Sequence, residues 1–201
     1  MLFLLVLVAG GGVGFFLVRN DTASRADEQP GGIPTSVAAT SIVNLKIKQV
    51  TPTTIGPPGQ VDGPSEAAAK GVERALSQFY EQAFIVKSNW DQANYAPAWA
   101  SFLPESRAAA ARDENLLTLG KDAPSTYSQV GFDNGDVSVQ VLLDGNSQPK
   151  SAIASVHFNA TAKETSGSTM AVRSVGRYFL QPEGDTWSIY GYQVRRKDKQ
   201  Q

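Results

Sequence analysis

The chain has 201 residues with a net charge of -1, one histidine and no cysteine. A charge so close to zero excludes a nucleic-acid binder that acts through bulk positive charge. Without cysteine there is no disulfide, thiolate nucleophile or cysteine-type zinc site, and one histidine cannot form a metal-binding cluster. No glycine pattern typical of phosphate or dinucleotide binding is present. Composition therefore predicts no catalytic residue, no metal site and no cofactor, and we do not expect an enzyme.

An apolar run without a charged residue opens the chain and extends over residues 2–18. A membrane-spanning helix needs about 17–25 such residues, so the run predicts one transmembrane helix, an anchor over residues 1–19. A cleaved signal peptide is the alternative, but no Lys or Arg precedes the run, and signal-peptide hydrophobic regions span only about 7–15 residues. Gly10 and Gly14 have the spacing that brings two membrane helices together, which leaves a homo-oligomer open.

The anchor predicts a single-pass protein of the cell membrane. We expect the C-terminal domain to lie outside the cytoplasm, because an N-terminal anchor followed by a tethered domain is most often oriented that way. The basic residues that normally decide orientation would lie before the apolar run, and we expect the natural chain to begin earlier.

Residues 20–63 are rich in proline and glycine and predict an extended linker, because this composition buries too little apolar surface to offset chain entropy. One piece interrupts the linker. Val43, Leu45 and Ile47 alternate with polar residues, which is a strand pattern. The segment forms either an edge strand of the domain's own sheet or a strand that pairs with the sheet edge of a partner.

Helical periodicity begins at Pro64, where Ser65 can cap a helix. One apolar stripe then continues to Trp90; it consists of Ala68, Val72, Leu76, Phe79, Ala83 and Val86. A short aromatic helix is predicted over residues 94–103, and Pro104 suits the first turn of a third helix over residues 105–117.

After Gly120 the periodicity changes to two, which predicts strands. Asp133 to Asp136 read as a hairpin turn that pairs residues 127–132 with the strand that follows. Further strands are predicted near residues 152–161, 169–180 and 187–194. The predicted fold class is α+β: three N-terminal helices packed on a curved antiparallel sheet of about five strands, preceded by one transmembrane helix. The domain covers residues 64–196, and residues 197–201 form a basic tail.

Three features carry a resemblance to a known fold: the long helix ending near Trp90, the aromatic second helix with Trp99, and the terminal hairpin that contains Tyr178 and Trp187. This order resembles the nuclear-transport-factor-2-like cone fold. With an anchor and a linker it is similar to uncharacterised envelope proteins of actinobacteria, including those associated with mammalian-cell-entry lipid transporters. It also resembles periplasmic assembly subunits of type IV secretion systems.

The resemblance implies a scaffold rather than an enzyme. We therefore expect a non-enzymatic, membrane-anchored extracytoplasmic domain that assembles with envelope, secretion or transport proteins and binds no nucleic acid. The alternative is a cone that binds a small ligand or acts like an isomerase, because this fold usually offers a concave pocket.

Aromatic residues are the candidates for a pocket or interface. The candidates are Tyr178, Tyr190, Tyr192 and Trp99. Aromatic side chains in a sheet are, however, more often part of the core. Trp90 and Trp99 are predicted to close the core between helices and sheet and to stack on no ligand.

Polar candidates are few. His157 lies on the polar strand phase and is predicted to face solvent or a partner, so it is not expected to be catalytic. Arg173 and Arg177 share a strand phase with Val175 and Phe179, and they either bind an anionic partner or pair with carboxylates. A C-terminal basic cluster is either a solvated terminus or a contact with anionic lipid headgroups. The cluster consists of Arg195, Arg196, Lys197 and Lys199.

Overall fold

The computed structural model describes residues 42–55 and 61–200. The predicted anchor over residues 1–19, with Gly10 and Gly14, lies outside the described residues, as does the linker over residues 20–41 and 56–60. Within the described ranges, no helix is both long enough and apolar enough to cross a membrane.

The described chain begins with a strand, continues through a helical stretch and ends in four long strands and a short one. The strands are β1 (Lys46–Thr54), β2 (Tyr127–Leu143), β3 (Pro149–Glu164), β4 (Thr169–Glu183), β5 (Thr186–Arg196) and β6 (Lys199–Gln200). The helices are α1 (Asp62–Tyr80), α2 (Lys87–Asp91), α3 (Ala96–Trp99), α4 (Pro104–Arg112), α5 (Glu114–Leu117) and α6 (Ala123–Thr126), and a π-helical turn, Glu81–Ile85, follows α1.

The helical stretch is more broken than its periodicity predicts. The long stripe is interrupted at Val86, whose backbone is extended (φ -65°, ψ 106°), so α1 and α2 are separate helices. The second predicted helix is reduced to α3, a single turn. The third divides at Asp113 into α4 and α5. Asp113 accepts a hydrogen bond from the Tyr192 hydroxyl at 2.6 Å, so the break is joined to the sheet by a contact that local periodicity does not contain.

The strands form one sheet in the order β1-β2-β3-β4-β5, with β6 added beside the start of β4. β2 to β5 are antiparallel neighbours, whereas β1 runs parallel to β2, with Lys46 opposite Asp136 and Thr54 opposite Leu143. β6 pairs antiparallel through Lys199 and Gln200. Two residues of the segment predicted as a basic tail, Lys199 and Gln200, are therefore part of the sheet.

The predicted fold class is wrong. Instead of an α+β domain with an antiparallel sheet of about five strands, the protein has a mixed α/β architecture with six strands and one parallel pair. The helical stretch connects β1 to β2, and a connection of that kind returns the chain to the same sheet in the same direction. The strand pattern of residues 43–47 left the direction of this strand open, so the sequence predicted neither the crossover nor the parallel pair.

The predicted hairpin turn at residues 133–136 is also wrong, because β2 passes straight through it with only a register shift between Phe132 and Asn134. Each polar side chain of the segment bonds to a partner on β3: Asp133 with Thr161, Asn134 with Asn159 and Asp136 with His157. A Cβ at Gly135 would lie 2.5 Å from the Leu45 side chain. The glycine thus allows a close tertiary approach and does not serve a turn.

The segment leading into β1 is attached to α1. Val43 and Leu45 are buried, and the Leu45 N–H donates to the Ser77 Oγ at 3.1 Å. Of the two interpretations of this segment, the edge strand of the domain's own sheet is confirmed. Ile47, the third residue of the alternating pattern, remains partly exposed beside the register shift in β1.

The core lies between the helices and one face of the sheet, here called the inner face. It is mainly aromatic: its largest buried side chains include Phe79, Tyr80, Phe84, Trp90, Tyr95, Phe102, Phe158 and Tyr178. Trp90 is buried in the core, as predicted, and Trp99 packs against the core while partly exposed. Its ring centroid lies 6.0 Å from that of Phe102. The opposite face of the sheet, here called the outer face, is packed against no described helix.

Candidate interaction surface

The four aromatic candidates do not form one site. Tyr178 is fully buried on the inner face, Tyr192 is half-buried on that face, and Tyr190 is 43% exposed on the outer face. Trp99 is half-buried on α3, where it packs against the core. A bulge explains the separation. Phe179 pairs with Gly191 and Leu180 pairs with Ile189, so Tyr190 is left without a partner on β4. Its ring rests against Phe179, with 6.2 Å between the ring centroids.

The inner tyrosines form a packing network rather than a catalytic one. The Tyr80 hydroxyl is hydrogen-bonded to the hydroxyls of Ser174 (3.1 Å) and Tyr178 (3.0 Å). Burial raises the pKa of Tyr80 to about 12 and holds the pKa of Tyr178 well above its ordinary value. Both phenols therefore stay protonated at neutral pH. Sequence reasoning missed Tyr80, because the apolar stripe pointed to its neighbour Phe79.

The space around this network is filled by stacked rings. The ring centroids of Tyr80 and Phe158 are 4.5 Å apart, and those of Phe84 and Phe158 are 5.1 Å apart. Aromatic pairs at such distances add specific attraction to the burial of their surface. The rings thus fill the region between the helices and the sheet around Tyr80 and Phe158.

Arg196 is also held inside the fold. Its guanidinium lies over the Phe84 ring at 5.2 Å from the centroid, donates to the Thr118 carbonyl and forms an ion pair with Asp198. Only 13% of its side chain is exposed. The structure therefore engages Arg196 with the protein, whereas its cluster neighbours Arg195, Lys197 and Lys199 are exposed.

The outer face of the sheet carries exposed polar and charged side chains. A groove of about 530 Å³ crosses β3, β4 and β5 on this face. Its lining comprises Ser155, Val156, His157, Val175, Gly176, Arg177, Gln193, Val194 and Arg195. A Cβ at Gly176 would lie 2.7 Å from the Gln193 carbonyl oxygen, so the missing side chain allows β5 to approach β4 closely beneath the groove.

Cross-strand pairing brings the polar residues of the groove together. Arg177 stands between Ser155 and Gln193, and in the next row Val175 stands between His157 and Arg195. The side chains of directly opposed residues on adjacent strands lie about 5 Å apart at their Cβ atoms. Two arginines, a histidine and two uncharged polar side chains consequently line one open, solvent-facing depression.

The arginines of the outer face are not neutralised by carboxylates. Within the described part of the chain, Arg173, Arg177 and Arg195 form no ion pair. Of the two interpretations of Arg173 and Arg177, pairing with carboxylates is thus not what the structure shows. Of the nearby acids, Asp136 contacts His157, and Asp198 pairs with Arg196 while it accepts a hydrogen bond from the Arg173 backbone N–H at 3.1 Å.

His157 is exposed on the outer face, as predicted, with its Nδ1 atom 3.2 Å from the Asp136 Oδ1. A His–Asp contact can orient a general base, but this pair lies on an open strand surface, where an exposed cross-strand contact contributes only about 0.2–1 kcal/mol. Over residues 42–55 and 61–200, no group of three or more His, Asp or Glu side chains is placed to hold a metal.

The sequence was also compared with known proteins. No protein-family model matches the chain and no curated protein is significantly similar to it, so the resemblance to the cone fold stays an expectation.

Proposed function

We propose that this chain is a membrane-anchored, extracytoplasmic and non-enzymatic scaffold domain that assembles with proteins of a cell-envelope, secretion or transport complex. The observation that carries the proposal is the contrast between a filled interior and a chemically exposed outer face. Membrane attachment is inferred from the apolar run over residues 2–18, which is long enough to span a bilayer.

The packing of the interior supports the non-enzymatic part. An isomerase-like or ligand-binding cone needs an open cavity with a usable acid or base inside it. Here Tyr80 and Tyr178 donate or accept hydrogen bonds within the network that they form with Ser174, and stacked rings surround them. The ligand-binding alternative therefore has less support than the scaffold.

The way the chain enters the domain supports the tethered part. Leu45 is buried, and the Ile42 N–H donates to the Glu81 Oε2 at 3.1 Å, close to the end of α1. Any pull transmitted along the preceding residues would act on a segment that is attached to the core. Such an attachment suits a domain that is tethered through its N-terminal segment.

Topology is tested by adding protease to intact spheroplasts. We expect cleavage before Val43 and a protected fragment whose mass matches a start between residues 20 and 43, because the residues from Val43 onward pack on α1. Mass spectrometry of the fragment gives the cleavage site. Protection of the whole chain until the membrane is permeabilised would contradict the outward orientation.

Assembly is tested by purifying the full-length chain in a mild detergent. A scaffold should elute with stoichiometric envelope proteins, at a mass well above that of one 21.5 kDa chain in its micelle. The matched control is the same chain with Trp90→Ala, which weakens the core and should lose the partners. A wild-type chain that elutes alone would contradict the scaffold function.

A further inference from the structure

Four exposed cations gather at one side of the outer face. They are Arg173, Arg177, Arg195 and Lys197, and together we call them the basic face. None of them forms an ion pair with a described residue. The Lys197 N–H donates to the Arg173 carbonyl at 2.9 Å, which joins the end of β5 to the start of this surface. The chain as a whole has a net charge of -1, so the positive charge is local.

The spacing of these cations excludes a single small anion as the ligand of the whole basic face. Arg173 and Arg177 are four residues apart on one strand, which separates their Cα atoms by about 13 Å. Arg195 lies on the neighbouring strand beside Val175, between the two. A partner that engages all of them must present several negative groups over a surface.

Aromatic and aliphatic side chains accompany the charges. Tyr190 is 43% exposed beside Phe179, and Ile153 pairs with Phe179 across β3 and β4 on the same face. A tyrosine with an apolar ring and a polar tip suits the boundary between lipid headgroups and acyl chains. The outer face thus combines the two residue types that bind a protein to a charged bilayer surface.

The position of the charges favours lipid over protein as the partner. Protein interfaces are enriched in arginine, but they are depleted of charged residues as a class at their desolvated centre and carry most of their charges at the hydrated rim. Here Arg177 and Arg195 border the central groove of the face. A headgroup layer remains hydrated, so it can accept these guanidinium groups without complete desolvation. Arginine also binds phosphate through two parallel hydrogen bonds.

We propose that the outer face docks on anionic lipid headgroups through the basic face, with Tyr190 at the level of the headgroups. The inference rests on the proposed function, because an anchored domain meets the bilayer at a high effective concentration. Docking directs the helices away from the membrane, toward the protein partners of the scaffold. Arg196 takes no part, since it is held by Asp198 and the Thr118 carbonyl.

The strength of docking follows from the charges. A basic residue near an anionic bilayer contributes about 1 kcal/mol, which corresponds to about a fivefold change in the docking equilibrium. Replacing both Arg177 and Arg195 by glutamine should therefore weaken docking about 25-fold. Salt should weaken it as well, because the Debye length shortens from about 10 Å at 0.1 M to about 3 Å at 1 M.

The test uses the absence of cysteine in the full-length chain, which allows one fluorophore to be placed at will. One label goes on the outer face through Ser138→Cys, and the control label goes on α4 through Ala108→Cys. The labelled chains are reconstituted in vesicles of phosphatidylcholine, with or without phosphatidylglycerol, that carry a quencher in the headgroup region. We expect quenching of the Ser138 label only in the vesicles with phosphatidylglycerol.

Charge-matched variants decide whether the basic face is responsible. Arg177→Gln with Arg195→Gln should weaken docking about 25-fold and reduce the quenching accordingly, whereas Arg74→Gln with Arg112→Gln, on the helical side, should leave it unchanged. Equal quenching in neutral vesicles, stronger quenching of the Ala108 label, or equal loss in both double variants would overturn the proposal. A Ser138 label that responds to polyglutamate but to no vesicle would also overturn it and indicate an acidic protein partner.

Failure of the proposed function is visible separately. Flotation of the unlabelled chain with neutral vesicles reports the membrane anchor alone. If the chain does not float, the anchor fails, and addition of the labelled chain to preformed phosphatidylglycerol vesicles still reports docking by the basic face. Quenching there would support docking without an anchor, and no quenching would overturn it.

Discussion

The two faces of the sheet are built from alternate residues of the same strands, yet they have opposite chemistry. On β5, Arg195 is exposed and unpaired within the described chain, whereas Arg196 is enclosed by Phe84, Thr118 and Asp198. One step along a strand therefore separates a side chain that is available to a partner from one that stabilises the fold. The residue type alone assigned both to the same surface cluster.

The comparison extends to the tyrosines. Tyr178 on the inner face and Tyr190 in the bulge of β5 are predicted by type to be equivalent, but one is buried in a hydrogen-bonded network and the other lies on the outer face. The inner face packs against the helices, so substitutions on that face should affect the stability of the fold. Changes on the outer face should affect binding and leave stability almost unaltered.

The largest effect is expected at Trp90. Trp90→Ala removes a buried indole and should lower the free energy of unfolding by about 3–5 kcal/mol, measured by urea denaturation of the detergent-solubilised chain. The Trp90 Nε1 is buried without a hydrogen-bond partner in the described structure, so Trp90→Phe should cost clearly less than Trp90→Ala. Trp99→Ala, at a half-buried site, should fall below Trp90→Ala. Similar losses of stability for Trp90→Ala and Trp99→Ala would show that the degree of burial does not determine the size of the effect.

The next effect separates the neighbouring arginines. Arg196→Met keeps an apolar stem over Phe84 but removes the ion pair with Asp198 and the bond to Thr118. It should lower the free energy of unfolding by about 2 kcal/mol, because hydrogen bonds of charged groups contribute about 1.5–3 kcal/mol. Arg195→Met is the matched control and should change stability by less than about 0.5 kcal/mol. Equal effects would contradict the division between the two faces.

A pH-dependent effect is expected at Tyr80. Its pKa in the folded protein is about 12, above the ordinary 10.0, so the unfolded chain loses this proton first as the pH rises. The stability that this phenol contributes is complete below about pH 10 and is lost as the pH approaches 12. Tyr80→Phe should cost about 1 kcal/mol at pH 8, and the difference from wild type should shrink in alkaline solution. A constant difference from pH 8 to 12 would contradict this assignment.

The smallest effect is expected at His157. The side chain is exposed and its contact with Asp136 lies on the solvent-facing strand surface. His157→Ala should therefore change the free energy of unfolding by less than about 0.5 kcal/mol, as a typical surface substitution does. The melting temperature should change correspondingly little. A loss of stability comparable with that of Arg196→Met would show that side chains on the outer face contribute to the stability of the fold.

The periodicity of the sequence predicted much of the distribution of apolar and polar residues between the inner and outer faces. The alternation of Ala154, Val156 and Phe158 with His157 placed the apolar residues toward the helices and the histidine outside, and the structure agrees. The stripe on α1 likewise marked Val72, which is buried. These predictions succeed because a strand repeats every two residues and a helix every 3.6, so the exposed side follows from the sequence spacing.

Contacts between distant segments decided the rest. Residues 133–136 have the composition of a turn, but bonding across to β3 and the packing of Leu45 on Gly135 keep them in a strand. The parallel pairing of β1 and β2 depends on where the helical connection returns the chain to the sheet. The burial of Arg196 depends on its contacts with Phe84 and Thr118. The sequence by itself determined which residues alternate and which face is apolar. Only the tertiary structure decided the strand order, the register and the partner of each charge, because these are set by residues that are far apart along the chain.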